Sequence, residues 1–207
     1  METRYPVRLA VLGDLPQIIS LIDSAASWLR TKATDQWAAP WPSPEAREAR
    51  IQAAIANKIT WVMTDGPDLV ATVSFDHGGD PKLWQGLELG EPAVYLHRLV
   101  INRRHEGLGI GAEILEWAIA DADEKSDYQM KWARIDVWTT NTKLHEYYRK
   151  LGFEDVRCEP EDNPGYPSCA LFQKAVTHDL VNSRKNYLDP SEIVKLLPAS
   201  QYSVNAH

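Results

Sequence analysis

Residues 94–122 read VYLHRLVINRRHEGLGIGAEILEWAIADA, and the order of residue types in that stretch decides the fold. An apolar run, Val94 to Ile101, gives way to a basic turn, Asn102 to Glu106, then to Gly107-Leu108-Gly109-Ile110-Gly111 and an amphipathic segment. That succession is strand, glycine turn, helix. Glycines at alternate positions let the backbone take positive φ and approach a ligand with no Cβ in the way, so several N–H groups can converge on one anion. A helix opening at that point adds unpaired amides and the positive end of its dipole. Ile110, Ile114, Leu115, Ala118, Ile119 and Ala122 recur at helical spacing and mark the side that lies on a sheet. The stretch reads as a phosphate-binding turn, with a plain left-handed helix start as the alternative. No Gly-Lys-Ser/Thr follows, so it is not a nucleoside-triphosphate loop. The Gly-x-Gly-x-Gly spacing and mid-chain position also depart from the dinucleotide pattern Gly-x-Gly-x-x-Gly, which leaves a nicotinamide-dependent oxidoreductase a distant alternative.

A second block lies downstream: Asn141, Leu144, then Tyr147-Tyr148-Arg149-Lys150-Leu151-Gly152-Phe153. It resembles the Asn-x-x-Ala-x-x-Phe-Tyr-x-x-x-Gly-Phe block of the GNAT superfamily of N-acetyltransferases. Glu106 to Gly111 resembles the same family's pyrophosphate loop, Arg/Gln-x-x-Gly-x-Gly/Ala. Glu106 departs from that pattern, and Arg103 or Arg104 then supplies the positive charge. The resemblance spans about residues 5 to 175. It implies an α/β, three-layer fold with a mixed central sheet, in which the parallel strands ending near Ile101 and starting near Ala133 splay apart around acetyl-CoA. It also implies coenzyme contacts along Leu99, Val100, Ile101, Arg103, Arg104, Gly107, Leu108, Gly109, Ile110, Gly111 and Ala112, and at Asn141, which otherwise caps its helix.

Around these blocks the chain alternates irregularly between strand and helix patterns. Val7 to Val11 reads as a strand, and Asp14 and Pro16 open a helix carrying Leu15, Ile18, Ile19, Ile22 and Ala26 at helical spacing. Ser43-Pro44-Glu45 opens a second helix reaching about Asn57. Ile59 to Thr64 and Leu69 to Phe75 form a hairpin about Asp65-Gly66-Pro67-Asp68. Asp76 to Pro92 is expected to be a long irregular loop. Ala133 to Val137 is a further strand, followed by a helix closed by Gly152. Phe153 to Cys158 and Cys169 to Lys174 then pair around a turn-rich loop. A register placing 158 opposite 169 would set the two thiols on one face of that hairpin.

With 207 residues, 44% of them hydrophobic, the chain can bury one sizeable core, so one domain over 1–175 with an extension over 176–207 is expected. The extension carries a short helix signal at Asp189-Pro190-Ser191-Glu192, stopped by Pro198, and either closes the acceptor pocket, docks on a second subunit as in a homodimer, or packs on its own domain. Net charge is -7, with Lys+Arg 22 against Asp+Glu 29, which argues against nucleic acid and weakly favours a cationic acceptor. No run approaches the ~20 apolar residues that span a bilayer and no signal segment is present, so a cytoplasmic protein with no membrane partner is expected. Cys158 and Cys169 have no metal-ligand spacing, so no metal is expected and both should be free thiols.

Moving acetyl from a thioester to an amine requires a neutral amine, a polarised carbonyl and an acid for the departing thiolate. His97 is the candidate base, at a position similar to the catalytic histidine of arylalkylamine N-acetyltransferases; a packed strand histidine is the plainer reading. Glu88 and Glu91 are alternative bases acting through water. Tyr148 matches the family's tyrosine facing the coenzyme sulfur, and Tyr147 is expected only to pack its helix. The resemblance therefore implies an N-acetyltransferase using acetyl-CoA as co-substrate and a small amine or peptide as acceptor. The alternative is a non-catalytic acetyl-CoA sensor or scaffold, compatible with Glu106 and disfavoured by Tyr148.

Overall fold

The computed structural model describes residues 5–32, 34–40, 43–158 and 167–177. Seven strands form one sheet: β1 (Val7–Leu9), β2 (Thr60–Asp65), β3 (Asp68–Asp76), β4 (Ala93–Ile101), β5 (Trp132–Val137), β6 (Glu154–Cys158) and β7 (Ala170–Ala175). Their spatial order is β1-β2-β3-β4-β5-β7-β6. The β4–β5 pair is parallel and every other pair antiparallel, so the sheet is mixed, as expected. The helices are α1 (Leu15–Leu29), α2 (Pro44–Ala56), a single turn α3 (Leu87–Gly90), α4 (Ile110–Glu124) and α5 (Thr142–Lys150).

Amphipathic patterning sorts these helices into two layers. α1 and α2 bury Ile18, Leu21, Ile22, Ile51 and Ile55 with Val62, Leu69 and Val100 on one face of the sheet. α4 lays Ile110, Ile114, Leu115, Ala118, Ile119 and Ala122 on the other face, against Met63, Val73, Val94, Leu96, Ala133 and Ile135. α4 is the crossover between parallel strands β4 and β5, as such a connection requires. Trp117 joins this core edge-on to Trp61 at 4.8 Å between centroids. The expected face of α4 is therefore the buried one.

Several local expectations are corrected. The first strand stops at Leu9 because the Val11 amide donates to the Asp14 carboxylate and the chain turns. Asp76 to Pro92 is not wholly irregular: α3 sits in it, and Trp84, only 1% exposed, plugs the sheet end beside Tyr95. β6 and β7 pair with Cys158 opposite Ala170, one residue off the register that would have aligned the thiols, and both cysteines are free. β7 ends at Ala175, and the helix expected after Asp189 lies outside the described residues, as does most of the turn from Glu159. Among the described residues no helix is long and apolar enough to cross a membrane.

Candidate active site

The site begins with a break in the sheet. β4 and β5 pair only from Ala93–Trp132 to Leu96–Ile135, although β4 continues to Ile101. Beyond Leu96 the two strands are no longer bonded, which is the splay expected between them. On its other edge β4 carries a bulge: Ser74 opposes His97 and Thr72 opposes Val100, so Val73 faces two residues, with Arg98 at φ 51. One extra residue reverses the alternation of side chains. Val94 and Leu96 point to the α4 layer before the bulge; Leu99 and Ile101 pack there after it, while Val100 enters the α1–α2 core.

A cavity of about 240 Å³ passes through the gap. From the α1–α2 side it is lined by Ile22, Arg47, Arg50, Ile51 and the connecting segment with Gln36 and Trp37, and from the α4–α5 side by Leu115, Leu144 and Tyr148. His97, Arg98, Leu99 and Asp136 border it from the strands. His97 Nδ1 lies 3.3 Å from Asp136 Oδ1. A carboxylate at that position favours the proton on Nδ1 and leaves Nε2 as the basic nitrogen.

Tyr148 approaches from the opposite layer, its position set by the end of α5. The Phe153 amide donates to the Tyr148 carbonyl at 3.1 Å and the Gly152 amide to the Arg149 carbonyl at 3.0 Å, with Gly152 at φ 84. This is a Schellman motif, in which only a residue tolerant of the left-handed region closes the helix. Its usual hydrophobic contact is present: the Tyr148 and Phe153 rings meet edge-on at 5.6 Å. The run from Tyr148 to Phe153 is thus a device that holds the Tyr148 ring at the cavity. Burial, then the neighbouring Tyr147 and the negative Asp136, push the Tyr148 hydroxyl well above the ordinary phenol range, so it is a donor at any working pH.

The glycine turn lies past the cavity, at the far end of β4. Gly107 and Gly109 have φ 78 and 76, and Gly109 caps α4. Leu108 is exposed, Ile110 is core, and Ala112 is half-buried. Gly111 is packed for a different reason: a Cβ there would come 2.5 Å from the Tyr147 hydroxyl, which would have to shift. Arg103 is engaged by Glu106 and lies 3.8 Å over the Trp28 ring, so part of its charge is already answered. Arg104 is exposed beside it. Asn141 caps α5, accepting from the Leu144 amide at 3.1 Å, and its amide nitrogen donates to Gln36. Asp35 accepts from Trp138 Nε1 at 2.8 Å and from the Thr140 hydroxyl, and those bonds hold its carboxyl below the usual range. Asn141, Trp138 and Thr140 therefore pin the segment carrying Trp37 across the cavity.

His97, Leu99 and Tyr148 are brought together; the glycine turn and Asn141 flank them. Glu88 and Glu91 are not: neither lines the cavity. Glu88 is held by Arg157 at 2.6 and 2.8 Å, and Glu91 by Lys131 and the fully buried Arg134. These partners, before all else the hydrogen bonds from Arg157 and Lys131, depress both carboxyls, which suits ion pairs better than bases. Four polar lining residues are new: Asp136, Arg47, Arg50 and Arg98. Only Asp136 carried a sequence signal, a carboxylate inside the apolar run Ile135 to Val137.

A model described as the acetyltransferase (GNAT) family matches residues 25–153. The chain is 30% identical over 171 residues to the uncharacterized N-acetyltransferase YesJ of Bacillus subtilis (strain 168), covering 81% of this chain and 88% of YesJ. Among solved structures, a GNAT-family acetyltransferase from Streptococcus agalactiae 2603 superposes with a TM-score of 0.66 at 21% identity, over 83% of this chain and 95% of that one. The PaiA N-acetyltransferase of Thermoplasma acidophilum, in complex with coenzyme A, superposes with a TM-score of 0.61 at 15% identity, over 84% of this chain and all of that one, 100%.

Proposed function

Because the chain belongs to the GNAT acetyltransferase family, we propose that it carries the acetyl group of acetyl-CoA directly to the amine of a small molecule or peptide, with His97 and Tyr148 serving the two ends of the transfer. The observation that carries this reading is the cavity through the β4–β5 gap, with His97 and Asp136 on its strands and Tyr148 entering from α5. A coenzyme whose pyrophosphate rests on the amides after Gly107 and Gly109 would run its pantetheine arm along Leu99 to Ile101 toward that cavity. Its phosphates would meet the first-turn amides of α4, which have no helical acceptor, and the dipole end of that helix. Arg104 supplies further positive charge, and Arg103 adds what its pairing with Glu106 leaves. PaiA, of the same fold, is seen with coenzyme A.

Bond by bond, the amine nitrogen forms a C–N bond to the thioester carbon while the C–S bond breaks and its electron pair leaves on sulfur. An alkylamine of pKa ~10.4 arrives protonated, and Nε2 of His97 takes that proton while Asp136 balances the imidazolium. The backbone N–H of Leu99, beside the bulge that interrupts the ladder, is the candidate donor to the carbonyl oxygen. Tyr148 donates a hydrogen bond to the departing sulfur. Its raised pKa argues against complete proton loss to a thiolate, because an ordinary thiol near ~8.5 is the stronger acid. The proton that ends on the thiol is then one released by the amine, relayed past the hydroxyl.

Tyr148→Phe tests this, since it keeps the ring that packs on Phe153 and removes only the donor. The single-turnover rate of thiol release should fall by about 10²-fold, the low end of acid–base contributions, at an unchanged acetyl-CoA dissociation constant. A native rate in that variant would make Tyr148 a packing residue and leave water as the donor.

A further inference from the structure

Resting on the acetyl-transfer reading, we propose that the acceptor is an amine borne on a compact apolar body, a ring or a branched chain, and that Trp37 and Trp138 select that body. The observation is a tryptophan held in an unfavourable backbone conformation at the cavity. Among the described residues, three other than glycine have positive φ: Trp37 at 57, Lys58 at 59 and Arg98 at 51. Lys58 closes α2, where its amide donates to the Ile55 carbonyl at 3.0 Å, and Arg98 forms the bulge in β4. Trp37 stands third in a turn from Asp35 to Ala38, closed by the Ala38 amide on the Asp35 carbonyl at 2.9 Å. Glycine or asparagine suits that position, and a bulky side chain there is strained. Strain of this kind persists where surrounding bonds impose it, and it clusters at ligand sites.

The bonds that impose it also fix a second indole. Asp35 accepts from Trp138 Nε1 at 2.8 Å and Asn141 donates to Gln36, so the turn is fastened to the segment joining β5 and α5. An indole has one donor; with that donor taken by Asp35, Trp138 offers the cavity only ring surface. Trp37 packs against the α1–α2 core yet is only half-buried, and it lines the cavity with Ile22, Ile51 and Pro40. The charged lining groups are answered from within the protein: Arg47 by Asp23 at 2.7 Å and His97 by Asp136 at 3.3 Å, while Arg98 Nε reaches Ser74 Oγ at 3.4 Å and Arg50 is engaged as well. On the α1–α2 side, the surface left for an acceptor's body is therefore aromatic and aliphatic. Burying apolar area there is favourable, whereas burying a second ammonium or a hydroxyl without a partner is costly. An amine whose body rests on Trp37 would present its nitrogen to His97 on the same cavity.

The experiment compares benzylamine and isopentylamine with polar amines of similar length, methoxyethylamine and N-acetylethylenediamine, by thiol release from acetyl-CoA and by calorimetric binding to the protein loaded with coenzyme A. The apolar amines should have the higher kcat/KM by at least about 10-fold, the low end of what one methylene is worth in an apolar pocket. Trp37→Leu should cut that preference for benzylamine by about 10-fold, mostly through KM, at unchanged acetyl-CoA affinity, while Trp37→Phe keeps most of it. Loss of kcat/KM by one common factor for every amine in Trp37→Leu would make Trp37 a packing residue and overturn the proposal. If Trp37→Leu does not fold, Asp35→Ala carries the test: Asp35 is exposed, its carboxylate holds Trp138, and the preference should erode on its removal. Equal kcat/KM for apolar and polar amines overturns this proposal and leaves acetyl transfer standing. Trp37-dependent binding of benzylamine without thiol release supports the subsite and strikes the transfer reading for those amines. No binding and no release with any of these amines overturns the subsite.

Discussion

Gly111→Ala separates two reasons for a glycine at that position, a ligand's approach and a neighbour's packing. The added Cβ would lie 2.5 Å from Tyr147 Oη, with Tyr147 Cζ at 3.5 Å and Ile101 Cγ1 at 3.6 Å. The first contact is an overlap; the other two are ordinary. Tyr147 is half-buried between α5 and the start of α4, and its hydroxyl must move if the methyl is to fit. Overpacking of this kind costs about 1–3 kcal/mol. Replacing glycine by alanine inside a helix returns about 1 kcal/mol, so the net destabilisation should be about 0–2 kcal/mol. In a Tyr147→Phe background the overlapping atom is gone, and the same methyl should be neutral or mildly stabilising. The coupling energy from the double-mutant cycle should therefore be about 1–3 kcal/mol, read from urea denaturation of the four proteins. Acetyl-CoA affinity measured alongside completes the argument. If it drops in Gly111→Ala and recovers with Tyr147→Phe, Gly111 serves packing; if it stays lost, the Cβ obstructs the ligand itself. A coupling below about 0.3 kcal/mol, within the scatter of independent sites, would refute the steric account.

Two further outcomes follow from the ion pairs. Asp136→Asn should lower kcat by about 10²-fold without changing acetyl-CoA affinity, and adding it to His97→Gln should cost nothing more, because the two act as one unit; additive losses would separate them. Asp14, buried and held by Arg8 at 2.7 and 2.8 Å, has its carboxyl depressed first by that hydrogen bond. A depressed carboxyl stabilises above its unfolded pKa of ~3.9 and loses that contribution as pH falls through the folded value. Asp14→Asn should therefore be less stable than native at pH 7, by about 1 kcal/mol once solvent screening of the half-exposed Arg8 is allowed for. The gap should close in acid below pH ~3.9; a gap that persists there would show that the charge is not what stabilises.

What the sequence determined by itself is what local chemistry encodes. The strand–glycine–helix order needs only neighbouring residues: the spacing of Ile110 to Ala122 names the buried face of α4, and glycines at 107 and 109 are the residues that tolerate φ 78 and 76. Asn141 as a cap and Gly152 as a helix stop are equally local, and with Tyr148 they form the block that pointed to the family. Tertiary structure alone decided the rest, because the groups meet across long separations. Glu88 and Glu91 read as bases until Arg157, 69 residues on from Glu88, and Arg134 arrive to neutralise them. The bulge at Arg98 was not legible, since β4 is flanked by helices on both faces and the polar pair His97-Arg98 inside its run does not by itself say that the alternation reverses there. That single inserted residue places Leu99 on the α4 face while His97 keeps to the other, beside Asp136. The polar lining of the cavity was hidden for the same reason: Arg47 and Arg50 lie on α2, Arg98 on β4 and Asp136 on β5, and only the packing of α2 over the splayed strands brings them to one cavity.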